Sequence, residues 1–347
     1  MSTVADAPVA RAAGSGPATA GRGSLLRAEA LRFRSRRFLR ILLGLAVLGW
    51  VAATVVALSH YGVPTDADRA TARQTVQQIV AQNEAGRQQC LADPNRPAGA
   101  APEEACGPPP TAADFSVDDF LPHQPFDLAR TGTTGALGFG AAAAVLAFLV
   151  GATWIGAEWS SRSLVALLFW VPRRGTVMGA KIAVLVLASA LLGVLAQAAW
   201  LATAGILRAV DSTGGPLPHG FWGHLLATQG RGVLLTVVAA LLGFGLTNLI
   251  RNTGAALGIG FVYFAVVETA VKILRPAWEP WLLTSNAAGL ITPGGLKVYI
   301  FDAAGPTGFD QPRVFVVHNL QAGILLGVVT AVIVGAGVYL FQRRDLV

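Results

Sequence analysis

The sequence predicts an all-α polytopic membrane protein: six transmembrane helices, both termini cytoplasmic, and a small extracytoplasmic insert after the first helix. Three observations lead there. The 347 residues are 53% hydrophobic and only 13% charged, whereas soluble domains carry about 25% charged residues. Six apolar runs approach or exceed the ~20 residues that cross a bilayer as a helix. The basic residues gather on alternate sides of those runs. With the N-terminus inside, the inner segments hold 15 Lys and Arg against 4 Asp and Glu, and the outer ones 11 against 15. That is the positive-inside pattern. It also explains the sequence pI of about 10.1 without a nucleic-acid partner.

Residues 1–23 are Ala, Gly, Pro, Ser and Thr rich and read as a disordered cytoplasmic tail. Residues 24–40 (SLLRAEALRFRSRRFLR) carry six Arg and a rough apolar face of Leu26, Ala30 and Phe33 beside Leu25, Phe38 and Leu39. Two readings stand together: an amphipathic helix lying in the interface against anionic lipid, and a plain basic anchor. Span one covers 41–60. It is too long for a signal-peptide core and lacks an A-x-A site, so we expect it to be retained.

The insert at 61–130 has ten acidic residues, five basic residues and nine prolines. Asp66–Gln89 predicts a helix and Cys90–Pro110 a loop. Cys90 and Cys106 either pair, as an extracytoplasmic position permits, or stay as two thiols. Pairing would close a loop of about 15 residues, for which chain entropy gives roughly 3 kcal/mol.

Span two is 131–157, span three 182–207, span four 221–250, span five 252–274 and span six 318–341, followed by a tail at 342–347. The outer segment 275–317 holds Trp278, Trp281 and Tyr299, residue types that favour the membrane interface. Its run Trp278–Ile291 is too short to cross and predicts a re-entrant or interfacial helix. Gly254 with Gly258, and Gly323 with Gly327, have the four-residue spacing that lets membrane helices approach, within the chain or between copies.

Arg231 and Glu268 interrupt spans four and five. Counted from the turn at Arg251, they reach depths of about 30 and 25 Å at 1.5 Å per residue, so the two antiparallel spans would set them side by side near the outer face. Intramembrane charges are functional candidates; the readings are an ion pair closing the outer end, a structural pair, or Glu268 with Lys272 one turn on. No catalytic or metal-ligand constellation is legible. GTVMGAK at Gly175–Lys181 lacks the Gly-Lys step of a phosphate loop, no G-x-S-x-G occurs, and the five His show no ligand spacing. The chain is expected to perform no bond chemistry alone and to hold no cofactor.

The segment 158–181, EWSSRSLVALLFWVPRRGTVMGAK, opens with a carboxylate, continues with an apolar helix-length piece, and closes with Pro172, Arg173, Arg174 and Lys181. It resembles the signature of type 2, exporter-type ABC transporter permeases. Glu158, Leu164, Leu167, Leu168, Pro172, Arg174, Ala180 and Lys181 match in order, and FQRRDLV at Phe341–Val347 is similar to that family's ending. Arg162 and Ser163 stand where Gly-Thr is usual, which puts the local turn in question. The resemblance covers the spans and both tails, not the insert. It implies a plasma-membrane permease that pairs with a second copy or paralogue and docks two ABC ATPase subunits, with ATP and Mg held by those partners. It also implies that 158–181 is the coupling loop, with Glu158, Arg162, Arg173, Arg174 and Lys181 as contact residues. A competing expectation is a membrane sensor or assembly protein whose insert binds a ligand or partner. A small secondary transporter would want internal repeats, and none is evident between the halves.

Overall fold

The computed structural model describes residues 22–93, 106–170, 173–210, 215–300 and 313–343. It is largely α-helical, with six helices long and apolar enough to cross a membrane, as a multi-pass membrane protein requires, and one two-stranded hairpin among the described residues. In chain order the helices are α1 (Arg22–Ser35), α2 (Arg37–His60), α3 (Asp66–Ala92), α4 (Leu128–Ser160), α5 (Ser163–Trp170), α6 (Arg174–Val210), α7 (Phe221–Ile250), α8 (Thr253–Phe261), α9 (Glu268–Leu274), α10 (Leu283–Ile291) and α11 (Asn319–Arg343). A π turn, Val262–Val267, joins α8 to α9 into one span. Of the tails expected at 1–23 and 342–347, residues 1–21 and 344–347 lie outside the described residues, while 22–23 open α1 and 342–343 close α11.

Helices α4 and α7 form the spine. They run parallel, and small residues let their backbones nearly touch. A methyl group on Gly140 would stand 3.3 Å from the Cα of Gly232; one on Gly151 would run into the Ala240 carbonyl, and one on Gly243 into the Phe148 carbonyl. Without a hydrophobic force between helices in lipid, such close approach is what dispersion needs. The glycine pairs picked out by spacing are not the ones packed within the chain. Methyls on Gly258 and Gly327 would meet nothing within 4 Å, and those on Gly254 and Gly323 would graze only side chains. Four-residue spacing identifies candidates, but the face each glycine occupies decides.

The other spans attach to this spine. Helix α6 has 37 residues, about 55 Å at 1.5 Å per residue, and overshoots an apolar layer of ~30 Å. Its Gln197 donates to the Ala136 carbonyl at 3.1 Å and its Trp200 to the Gly132 carbonyl at 3.0 Å. Helix α2 buries only Leu39, Leu42 and Thr54. Midway it is fastened by Trp50, whose Nε1 donates to Thr203 Oγ1 at 2.9 Å and to the Ala199 carbonyl at 3.1 Å, and by Thr54, 2.9 Å from the same hydroxyl.

Two ends of the bundle are now defined. At the Arg-rich end, α1 and α5 meet the last turns of α4, α7 and α11 and the first turns of α6. The far end carries the rest. There α10 precedes a two-stranded antiparallel hairpin, β1 (Leu296–Ile300) with β2 (Arg313–Val317). Val298, Ile300 and Val317 pack on Leu290, Ala322 and Leu326. Asn319, opening α11, donates to the carbonyls of Gly289, Leu290 and Thr292 and so satisfies the end of α10. The expected interfacial helix within Trp278–Ile291 becomes a 3₁₀ turn, Pro276–Trp281, plus α10; the alternation in LKVYI and RVFVV marks the hairpin.

In the insert, α3 starts at a capping box. Thr65 and Asp68 exchange side-chain to backbone bonds, and the Thr65 hydroxyl and then its backbone N–H, both donating to the Asp68 carboxylate, hold that group below its ordinary range. Cys90 and Cys106 are joined by a disulfide with Cα atoms 5.8 Å apart. Tyr61 packs edge-on against Phe126 at 5.3 Å between ring centres, tying the insert's base to the bundle.

The spine makes a direct prediction. Gly151→Ala and Gly243→Ala should each cost about 1–3 kcal/mol through overpacking, whereas Gly258→Ala and Gly327→Ala should leave stability within about 0.5 kcal/mol of the parent. Thermal unfolding of the purified protein in detergent checks this; equal effects at the four sites would contradict the packing.

Candidate functional site

The sequence placed its functional weight on the loop between spans two and three, and the structure puts a buried charge cluster at the two ends of that loop. Trp154 and Glu158, four residues apart, share one face of the last turns of α4. Lys181 lies two turns into α6. Both Glu158 and Lys181 are buried. Lys181 Nζ sits 2.6 Å from Glu158 Oε2 and 2.7 Å from Glu29 Oε2, with the Trp154 ring centre 5.4 Å away. The second Glu158 oxygen faces Arg36 at 3.4 Å, and the second Glu29 oxygen faces Arg32 at 3.2 Å.

Glu29 comes from α1, and Arg36 from the extended junction between α1 and α2. Leu25, Glu29 and Phe33 recur at helical spacing and form the bundle-facing stripe of α1; Phe33 meets the Trp154 ring edge-on at 5.1 Å. The sequence reading gave α1 an apolar face against lipid. In the structure the stripe at its centre is a carboxylate, wholly buried. Helix α1 is therefore held by charge as well as by apolar contact. Glu29 and Arg36 were missed as site residues, although Glu29 is the one acid among six Arg in 24–40.

Between Glu158 and Lys181 the chain turns sharply. Ser161 N–H bonds the Ala157 carbonyl at 3.1 Å, and Arg162 adopts φ 52°, the left-handed region that glycine enters most easily. This is the position where the resembled family usually has Gly, and the turn forms with Arg in its place. Helix α5 follows. It buries Leu164 and Leu167 against the bundle and turns Phe169 outward, 85% exposed. Val171 and Pro172 lie outside the described residues. Arg173 is exposed. Arg174 donates to the carbonyls of Phe341 and Gln342, both at 3.2 Å, so the start of α6 is tied to the end of α11.

The five expected contact residues thus do not form one face. Glu158 and Lys181 point inward, Arg174 is engaged with α11, and Arg162 and Arg173 remain on the surface beside Phe169. Trp159 is a further hub that sequence did not flag. Its Nε1 donates to Asn248 Oδ1 at 3.1 Å, the Arg251 guanidinium lies 4.6 Å over its ring, and Phe341 packs edge-on at 5.9 Å.

The expected Arg231–Glu268 pair is corrected. Arg231 Nε donates to its own helix at Ala227 O, 3.1 Å away, and its guanidinium reaches Thr228 Oγ1 at 3.4 Å. Glu268 instead accepts from Thr284 of α10, and Lys272 faces Glu279 at 3.8 Å. Equal depth in two helices does not bring side chains together when they point to different neighbours. Among the described residues no group of His, Cys, Asp and Glu is placed to hold a metal ion. No family model, curated protein or solved structure matches the chain.

What the cluster does is mechanical: one ammonium joins three segments. Removing it leaves two carboxylates buried without that cation, so Lys181→Met should cost about 3–5 kcal/mol. Neutralising all three groups (Glu29→Gln, Glu158→Gln, Lys181→Met) should cost less than Lys181→Met alone, because no uncompensated charge remains. Unfolding midpoints of the single and triple variants decide this; a triple variant worse than the single would contradict a charge-balanced joint.

Proposed function

We propose that this chain is the membrane-spanning permease subunit of an ATP-driven ABC exporter in the plasma membrane. Its Arg-rich end faces the cytoplasm, and it works with a second permease copy or paralogue and two ATPase subunits that supply the ATP and Mg. The observation that carries this reading is α5: an eight-residue helix between spans two and three, with Phe169 fully presented and exposed Arg162 and Arg173 at its ends. A large exposed apolar side chain on an otherwise anchored helix, with an exposed cation beyond each end, is the form of a small docking knob.

The joints behind α5 fit a part that transmits force. Its two ends lead into Glu158 of α4 and Lys181 of α6, which share one buried cluster. Helix α4 is packed backbone to backbone with α7, and Arg174 links α6 to α11. A push on α5 would therefore be delivered to four spans rather than absorbed in a loose loop. Helix α1, clamped to the same cluster, moves with them.

Docking is separable from folding. Arg162→Gly suits the left-handed turn and removes a surface charge; Phe169→Ser and Arg173→Ser remove the knob and the second cation. The triple variant should keep its melting temperature within a few degrees and retain at most about a tenth of the parent's co-purifying ABC ATPase, roughly 1.4 kcal/mol of lost binding. Undiminished co-purification, or ATP-independent transport by the purified chain in liposomes, would refute the reading.

A further inference from the structure

The geometry points to Glu268 as a proton-binding site in span five, whose loading releases the far-end helix α10. Glu268 is 1% exposed and opens α9 directly after the π turn Val262–Val267. It lies six residues before the end of that helix, about 9 Å along the axis, well within the apolar span. Its carboxylate accepts the Thr284 backbone N–H at 3.2 and 3.3 Å to its two oxygens and the Thr284 hydroxyl, and the Tyr263 phenol lies beside it. Every donor is neutral. Among the described residues no Lys, Arg or His makes an ion pair with it.

This differs from the cluster at the other end, where cations lie against both buried carboxylates. A carboxylate in a membrane span without a cation is expensive. Here it is stabilised only by hydrogen bonds and by one of the free N–H groups at the start of α10. Adding a proton removes the charge and weakens those bonds while creating no unpaired ion, so the site can exist in two states. The flanking structure suits a moving part. The span α8–α9 is the least buried of those following α2, with 11% of its apolar window enclosed, and π turns are inserted irregularities associated with function. The next two residues of α10, Ser285 and Asn286, are buried, yet Ser285 Oγ and Asn286 Oδ1 have no hydrogen-bond partner. The polar interior therefore continues past Thr284.

The other charged or titratable groups nearby are accounted for. Tyr263 is the phenol on the carboxylate itself. Lys272 and Glu279 face each other, Arg275 ends the helix, and α10 carries no charged residue. On α7, Arg231 bonds its own helix. The hairpin packed on α10 carries Lys297, Tyr299 and Arg313, and the exposed His318 precedes α11 beside it; the Glu268→Gln variant separates Glu268 from these groups.

Hydrogen exchange of α10 amides in the full-length protein in liposomes tests this, after correction for intrinsic rates. In the parent, protection over Thr284–Gly289 should fall about tenfold between about pH 8 and about pH 4.5. Glu268→Gln should show the low protection at both pH values. A flat parent profile, or pH dependence surviving in Glu268→Gln, would overturn the proposal. Should that variant fail to fold, infrared spectra of protein with isotope-labelled Glu give the same decision. A protonated-carboxyl band should grow on acidification and shift in Thr284→Ala. A band absent, or unmoved by that substitution, would rule out Glu268.

Discussion

The Arg-rich end of this molecule depends on one ammonium group held between two buried carboxylates. Lys181 lies 152 residues from Glu29 and 23 from Glu158, yet all three meet out of water. None of them is tolerable there by itself: each isolated ion would cost several kcal/mol, and each is acceptable only when the other segments are in place. The cluster therefore acts as a check on assembly. Helix α1 cannot leave without stranding Lys181 and Glu158 with one partner fewer, and α4 and α6 cannot shift apart without breaking the shared contact. Phe33 and Trp154 pack over the same joint, so apolar contact excludes the water that would otherwise weaken it.

Around that joint the spans divide by how firmly they are held. Helices α4 and α7 approach through glycine and leave no room to slide, because the obstacles are backbone carbonyls rather than flexible side chains. Helix α6 is tied to α4 by Gln197 and Trp200. By contrast α2 hangs on a Trp–Thr cluster at mid-height, and α8–α9 touches the spine sparsely. A tightly packed interior is poorly deformable, so movement in this bundle belongs to the two weakly attached spans and to whatever the α1–α5 end does as a body.

Much of the fold was legible because lipid imposes simple rules. A helix must satisfy its own backbone, so span number and limits follow from hydropathy, and the helix expected over Asp66–Gln89 is α3. Side-chain partnership was less legible. Arg231 and Glu268 sit at matched depths, but depth says nothing of azimuth, and Glu268 finds its donors on α10, a helix after it in the chain. Gly254 and Gly323 have the right spacing on the wrong face. Glu29 was visible as a lone acid in a basic stretch, but its burial depends on Lys181 arriving from 152 residues away, which no local pattern contains. Arg162 shows the reverse case: a residue poorly suited to the left-handed turn is accepted because Glu158 and Leu164 fix the chain on both sides of it.

The two ends of the bundle handle buried acid in opposite ways, and that contrast assigns them different roles. At the Arg-rich end, Glu29 and Glu158 each have cations within 3.4 Å. Each is held by ion pairs from more than one segment, so neither can move without breaking a contact to another part of the chain. At the far end Glu268 has hydroxyl and amide donors only, and one proton can alter its charge with little else to rearrange. On the proposed reading a rigid coupling belongs at the first end and a yielding latch at the second, and the spine of α4 and α7, packed backbone to backbone, is what joins the two ends.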